Sequence, residues 1–262
     1  MYRRKKALTV LLSIGVLVSL TLACMPGVPG GGPTEEETQA PPAPGETPEP
    51  TPPPEELPFE LDVEALEGLS SYAYTLHIDG LSTMEGQAQE VLLDMEGKRQ
   101  SEPTRAEQLG FSSVTDGEST SMEIIYIEEQ GKMWMREGGD PWQEIPVVDD
   151  SMLEMFDMFS MVYWWDTFFT GDPEDAQYLG QEMMNGVQSH HYRTAEGTVW
   201  GAAMAGCTFA SAEDNIWVAV DGKFPVKREA EAAVNCLDES GEMHFLMEIR
   251  NVNQPLDISP PT

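Results

Sequence analysis

Basic residues are scarce in this chain, which has 14 Lys and Arg against 46 Asp and Glu and a formal net charge of -32 at pH 7. Several of them, Arg3 to Lys6, stand together near the N-terminus, so the rest of the chain is more acidic still. Because proteins bind a phosphate backbone through Lys and Arg, we exclude nucleic acid as a partner. The same shortage argues against attachment to anionic lipid headgroups by charge.

Motifs of the common enzyme sites are absent as well. The sequence contains no Gly-x-Ser-x-Gly, no His-Glu-x-x-His, no phosphate-binding loop and no dinucleotide fingerprint. It also has no Cys-x-x-Cys, which excludes the usual redox motif and the zinc knuckle. We therefore predict a protein that is not an enzyme and that needs no cofactor.

Histidine is rare too, and we assign none of the 4 histidines to a metal. His190 and His191 are neighbours in a strand-like segment, where successive side chains point to opposite faces of a sheet, so they cannot easily share one ion. His77 and His244 are isolated in other strand-like segments, and we interpret each as a surface or hydrogen-bonded side chain. Three acidic groups lack the spacing of a calcium loop and are interpreted as solvated turns: Asp149-Asp150, Asp172-Pro173-Glu174-Asp175 and Glu213-Asp214.

The first of the 3 cysteines closes a signal-like segment. A basic start is followed by an uncharged apolar run, 7–20, and then by Leu20-Thr21-Leu22-Ala23-Cys24. This order is typical of a secretory signal. A cysteine directly after the cut resembles the lipobox of bacterial lipoproteins, in which the thiol receives a diacylglycerol, although Thr21 stands where that motif usually has Leu. We predict a lipoprotein signal peptide at 1–23 and lipidation of Cys24.

Two alternatives for this segment stay open, a plain cleaved signal and an uncleaved membrane anchor. Counted from Ala7 to Ala23, the apolar run is at the low limit for a spanning helix, which needs about 20 residues, and no stop-transfer charges follow it. In every case the rest of the chain is predicted to be extracytoplasmic. With Cys24 lipidated, the protein is anchored to the cell membrane by its lipid.

The other two cysteines, Cys207 and Cys236, form an even pair in an oxidising compartment. A disulfide between them is the natural interpretation. Such a bond stabilises a domain by about 3 kcal/mol. Two unpaired buried thiols are the alternative.

Residues 24–58 form a segment crowded with Pro, Gly, Glu and Thr and almost free of apolar residues. A segment of this composition cannot bury enough surface to offset the entropy of ordering it, and proline keeps it extended. We predict a disordered tether at 24–58. The tether would act as a simple spacer. The alternative is that this segment is a proline-rich ligand for a peptide-recognition domain.

The remainder, 59–262, has the length of one domain and the pattern of a β-protein. A short helix is predicted at 63–69, and about ten segments then alternate apolar with polar residues. Asn185-Gly186 and Asp221-Gly222 stand between such segments and predict hairpins. The predicted strands are 71–78, 87–95, 122–127, 132–136, 142–145, 177–183, 188–194, 215–220, 226–233 and 243–250.

One segment, 152–169, has the pattern of a helix instead. Ser151 and Glu154 have the spacing of a capping box at its start. After the second turn the helix is apolar nearly all round, which predicts burial on more than one side. The acidic residues within and beside it argue against a membrane span.

Four stretches of this pattern resemble the LolA/LolB–LppX/LprG group of envelope lipid carriers. The similar stretches are 66–72, where a helix leads into the first strand; 132–142, with its pair of tryptophans; 178–192, with Gly-x-Glu-x-x-Asn-Gly; and 216–227, with Trp-Val and Pro-Val-Lys. The resemblance covers roughly 60–250. The chain departs from the group in its Met- and Trp-rich helix and in a Gly/Ala/Ser-rich stretch, 196–214, which we interpret as an insertion.

The resemblance implies an α+β fold, mainly antiparallel β, in which a curved half-barrel sheet wraps over one or more helices. It also implies an apolar cavity between the sheet and helix 152–169 that binds or shuttles a lipid or other hydrophobic ligand. The candidate cavity residues are Met155, Met158, Phe159, Val162, Trp165 and Phe169. Two alternatives stay open: these residues are ordinary core, and the protein is a non-catalytic surface lipoprotein that serves as a protein-interaction or envelope-assembly module.

Overall fold

Antiparallel strands make up most of the protein in the computed structural model. The structure describes residues 57–84, 87–115, 117–147, 159–168, 176–194, 207–237 and 239–261. All of them belong to one unit, Glu56–Thr262. The predicted signal peptide and nearly all of the predicted tether lie outside the described residues, so both remain predictions.

The strands form one open, curved sheet in the order β6-β5-β4-β3-β2-β1-β11-β10-β9-β8-β7. Neighbouring strands are antiparallel throughout. This confirms the predicted fold class. The strands are β1 Ser71–Met84, β2 Gln87–Gln100, β3 Ala106–Thr115, β4 Glu118–Ile127, β5 Lys132–Glu137, β6 Gln143–Pro146, β7 Gln177–Met184, β8 Val187–Thr194, β9 Cys207–Ala219, β10 Pro225–Cys236 and β11 Glu239–Arg250.

Short turns connect most neighbouring strands. Asn185 and Gly186 join β7 to β8 with φ angles of 52° and 82°, which are the positive values that a tight primed hairpin turn needs. Gly131 joins β4 to β5 with a φ of 58° at the end of the 3₁₀ helix Glu128–Gln130. The sequence predicted the first of these turns.

Two strands differ from the expectation. β3 was missed because only part of it alternates, and polar side chains such as Gln108, Ser112 and Ser113 fill much of the rest. β9 begins at Cys207, so the second part of the supposed insertion 196–214 is strand. The prediction was wrong there because the small residues Ala210 to Ala212 obscure the alternation of apolar and polar side chains. Pairing with β10 stabilises this stretch as a strand.

Helical structure is short. The predicted helix 63–69 is a 3₁₀ helix at Glu64–Gly68. The one α-helix of the described residues, α1, spans Met161–Phe168. Ser160 caps it, since the N–H of Tyr163 donates to Ser160 Oγ at 3.1 Å. The predicted helix 152–169 is therefore not continuous, and its predicted capping box lies outside the described residues.

The sheet has two faces with different neighbours. Residues opposite each other on adjacent strands share a face, so the register of β1 with β2 and β11 places Leu76, Met95 and Met247 together. We call this side, which contacts the segment bearing α1, the inner face. Its buried side chains include Tyr72, Tyr74, Leu76, Met95, Leu109, Phe111, Met122, Ile124, Tyr126, Met133, Ile216, Phe245, Met247 and Ile249. On the outer face, Trp134 packs with Ala106, Ile125 and Ile127 under Trp142 and Ile258.

The predicted disulfide is present. Cys207 and Cys236 are directly opposite each other on β9 and β10, and their Cα atoms are 4.0 Å apart. The bond closes the end of the β9–β10 hairpin, 29 residues apart in sequence.

Replacing both cysteines, Cys207→Ala and Cys236→Ala, should lower the free energy of unfolding by about 3 kcal/mol because the unfolded chain is no longer cross-linked. Urea unfolding of the oxidised wild type and of the double variant measures the difference. Dithiothreitol should destabilise the wild type to the level of the variant and leave the variant unchanged. Equal stability of oxidised wild type and variant would contradict the prediction.

Candidate functional site

Methionines line the inner face of the sheet. Met95, Met122, Met133, Met135, Met243 and Met247 project from four strands on this side. All but Met135 are buried, and Met161 of α1, which is 0% exposed, joins them from the helix. Methionine is unbranched and adapts its shape to what it contacts. The inner face is thus apolar and deformable.

A tyrosine and a glycine on neighbouring strands hold the segment that covers this face. Gly97 lies opposite Tyr74, and a Cβ at position 97 would overlap the Tyr74 ring. The missing side chain leaves room for the ring to lie across β2. From there the Tyr74 hydroxyl donates to the carbonyl oxygen of Phe159 at 3.2 Å, and the rings of Phe159 and Phe111 are 6.2 Å apart.

Three of the six predicted cavity residues are described by the structure. Phe159 and Trp165 are each 2% exposed, and Val162 is half-buried. Met155, Met158 and Phe169 lie outside the described residues, as does Cys24. Met161, Trp164 and Trp165 occupy one side of α1 and are buried. Whether these side chains line a cavity or form ordinary core stays a prediction.

The inner face also carries a buried ion pair that the sequence did not reveal. Arg228 of β10 donates to both carboxylate oxygens of Asp214 of β9, at 3.1 and 3.0 Å, and the Thr194 hydroxyl donates to the same carboxylate at 3.1 Å. The two charged side chains are 2% and 5% exposed. The interpretation of Glu213-Asp214 as a solvated turn is therefore wrong, because both residues lie within β9 and Asp214 is buried against Arg228.

Burial dominates the titration of polar groups on this face. It lowers the pKa of Arg228, and the contact with Asp214 acts in the opposite direction. Burial raises the pKa of Tyr72 to about 12, with Arg99 working against the shift. It holds the pKa of Tyr74 well above the usual value, and the neighbouring Tyr72 adds to the effect. The Tyr74 hydroxyl therefore stays a neutral donor toward Phe159 at any physiological pH.

An aromatic group lies where the chain enters the domain. The ring of Phe59 is 5.1 Å from that of Tyr192, and Tyr178 lies between Tyr192 and His190 at 5.5 and 5.6 Å. The Tyr192 hydroxyl donates to the carbonyl oxygen of Pro58 at 3.2 Å. The first described residues are thus held against β7 and β8. His191 faces the other way and stacks on Trp217 at 4.3 Å, which confirms that the two neighbouring histidines point apart.

Two clefts on the described surface lie away from the predicted cavity. One, of about 490 Å³, is on the outer face beside Lys98, Arg136 and Trp142. The other, of about 460 Å³, is at the start of β1 beside Ser70 and Asn253. Neither is lined by a predicted cavity residue. Within the described ranges, no helix has both the length and the apolar character to cross a membrane.

Replacing Arg228 with Met should lower the free energy of unfolding by about 3–5 kcal/mol because it leaves the Asp214 carboxylate buried without its counter-charge. Arg193→Met is the matched control, since Arg193 pairs with Glu213 at 3.1 Å with both side chains about half exposed, and it should cost about 1 kcal/mol or less. Urea unfolding measures both. A double variant, Arg228→Met with Asp214→Leu, should recover most of the loss; similar costs for the two single variants would contradict the prediction.

Comparison with known proteins gives similarity in structure alone. No protein-family model matches the chain, and no curated protein matches it. Mycobacterium tuberculosis lipoprotein LppX is 13% identical with a TM-score of 0.31, covering 75% of this chain and 93% of its own. LprF from Mycobacterium bovis is 12% identical with a TM-score of 0.38, covering 76% of this chain and 92% of its own. A putative outer membrane lipoprotein-sorting protein domain from Vibrio parahaemolyticus is 10% identical with a TM-score of 0.21, covering 71% of this chain and 87% of its own.

One of these neighbours, LppX, is a protein of the group whose resemblance was noted in the sequence. Such identities and TM-scores say nothing about what this chain binds.

Proposed function

We propose that this protein is an extracytoplasmic lipoprotein, anchored through Cys24, that binds or shuttles a lipid or another hydrophobic guest between the inner face and the segment bearing α1. The observation that carries the proposal is the methionine lining of the inner face. The other apolar side chains of this face are mainly branched or aromatic, which specify one packing, whereas methionine adapts its shape. Several methionines on one face suit a guest of variable shape.

The energetics of an acyl guest favour such a face. Each CH₂ group removed from water contributes about 0.8 kcal/mol, so a long acyl chain gains enough to bind after the costs of association. The acidic surface of the protein suits this role too, because a chain that anionic headgroups repel needs its own lipid to stay on a membrane.

The guest enters when the segment bearing α1 moves away from the inner face. The inner-face methionines and Phe159 are buried by the chain itself, so an acyl chain must replace contacts that the segment makes. Two of these contacts are the hydrogen bond from Tyr74 to the Phe159 carbonyl and the packing of Phe159 on Phe111. Weakening either contact favours the open form.

A photoactivatable fatty acid tests this proposal on the full chain reconstituted in phosphatidylcholine nanodiscs. Cross-links mapped by peptide mass spectrometry should fall on inner-face residues such as Met95, Phe111 and Met247. They should be absent from Ile125 and Trp134, which are equally buried on the outer face. Mapping by residue separates binding inside the domain from contact with the bilayer.

Tyr74→Phe should increase inner-face labelling several-fold at limiting probe, because the covering segment loses one hydrogen bond worth about 1 kcal/mol. Tyr192→Phe is the matched control, since it also removes one tyrosine-to-carbonyl bond of 3.2 Å on the same face, and its labelling should equal that of the wild type. Absence of inner-face labelling would overturn the carrier function and favour the protein-interaction or envelope-assembly module.

The anchor has its own test. Intact mass of the chain extracted from membranes should show an N-terminus at Cys24 carrying a diacylglycerol, and Cys24→Ser should lose that mass and the membrane attachment that depends on it. An unmodified Cys24 in the wild type, or a retained segment 1–23, would overturn the lipid anchor and leave the plain signal or the uncleaved anchor.

A further inference from the structure

Two histidines that are 167 positions apart in the sequence lie side by side on the outer face. β1 pairs with β11 so that Asp79 lies opposite His244, which places His77 two positions away on the same face. The ring centroids of His77 and His244 are 5.7 Å apart. We propose that this pair forms a binding site for a divalent first-row transition-metal ion.

The separation of the rings fits one shared ion. Imidazole nitrogen binds zinc at about 2.0–2.1 Å, and the ring centre lies about 1.1 Å behind the nitrogen. Two imidazoles on one ion, at tetrahedral or wider angles, therefore have centroids about 5–6 Å apart. The observed 5.7 Å falls in this range, so the backbone register already sets the spacing.

Asp94 fixes the tautomer of His77, one of the two proposed ligands. His77 Nδ1 and Asp94 Oδ1 are 2.6 Å apart, and the carboxylate can only accept, so Nδ1 carries the hydrogen. The other ring nitrogen, Nε2, is then left with its lone pair. A carboxylate behind a histidine in this way is the usual outer-shell partner of a metal-binding imidazole, because it fixes the tautomer and raises the basicity of the ligand.

Solvent and further ligands can reach the pair. The His77 side chain is 30% exposed and that of Asp94 is 47% exposed. Asp79 on β1 and Glu231 on β10 both lie opposite His244 and are exposed. Among the described residues no three His, Cys, Asp or Glu side chains already meet at one point. Asp79 or Glu231 therefore turns toward the ion on binding, or water completes its coordination.

The donors select the class of ion. Two imidazoles suit zinc, copper and nickel, whereas calcium and magnesium prefer oxygen alone. The surrounding carboxylates raise the local concentration of any cation but do not choose among them. Because the ion joins β1 to β11, binding also stabilises the centre of the sheet in proportion to its affinity.

Titration of the metal-free full chain in nanodiscs with Zn²⁺, followed by calorimetry, tests the site. One ion should bind per chain, and the copper form should show two nitrogen ligands in its electron paramagnetic resonance spectrum. At 100 times the dissociation constant, Zn²⁺ should raise the melting temperature by about 5–10 °C.

The 4 histidines of the chain supply a matched control. His77→Gln with His244→Gln should weaken binding at least 100-fold, whereas His190→Gln with His191→Gln should leave it unchanged. Asp94→Asn should weaken binding about tenfold. Full affinity in the His77/His244 variant, loss of affinity in the His190/His191 variant, or displacement of Zn²⁺ by millimolar Ca²⁺ would each overturn the proposal, the last by showing an unselective acidic surface.

Discussion

The pairing of the first strand with the last is the contact on which the rest of the sheet depends. Eight consecutive residue pairs, from Ala73 with Arg250 to Gly80 with Met243, join β1 to β11 at the centre of the strand order. Without them the chain would form two separate meanders, β1–β6 and β7–β11. Bringing β1 and β11 together closes the long stretch of chain between them, which costs entropy that the contacts between the two strands must offset. The pairing is reinforced beside it, where Asn253 accepts from the N–H of Ser70 at 2.8 Å.

That register also determines what each face can do. It aligns Leu76 and Met247 on the inner side, and the same alternation sends the residues between them outward. A polar side chain can be buried on the inner face only where it has a hydrogen-bonding or ionic partner. Arg228 meets this condition through Asp214, and Tyr74 meets it through the Phe159 carbonyl. A buried ion pair such as Arg228 with Asp214 adds little net stability compared with apolar side chains of similar volume.

Local patterns in the sequence were enough to predict most of the fold. Alternation and the Asn185-Gly186 turn depend on residues close in the chain, so ten of the strands and the β7–β8 hairpin followed from them. The Cys207–Cys236 bond followed from the even pair of cysteines. The sequence failed where the cause is distant. β3 exists because β2 and β4 flank it, Asp214 is buried because Arg228 meets it across a hairpin, and the inner-face methionines come together only through the register. The candidate cavity residues stay a prediction, and the structure describes Phe159, Val162 and Trp165 of them.

The two proposed sites share one structural element, the β1–β11 pair, through which binding at one site can affect the other. The inner-face residues Leu76 and Met247 and the outer-face residues His77 and His244 stand on the same two strands. If a guest between the methionines and α1 bends or spreads β1 and β11, an ion held by one residue from each strand resists that change. If a bound guest changes the affinity for the ion by some factor, a bound ion must change the affinity for the guest by the same factor. The sign of that coupling reports whether the guest opens the centre of the sheet or only displaces the segment above it.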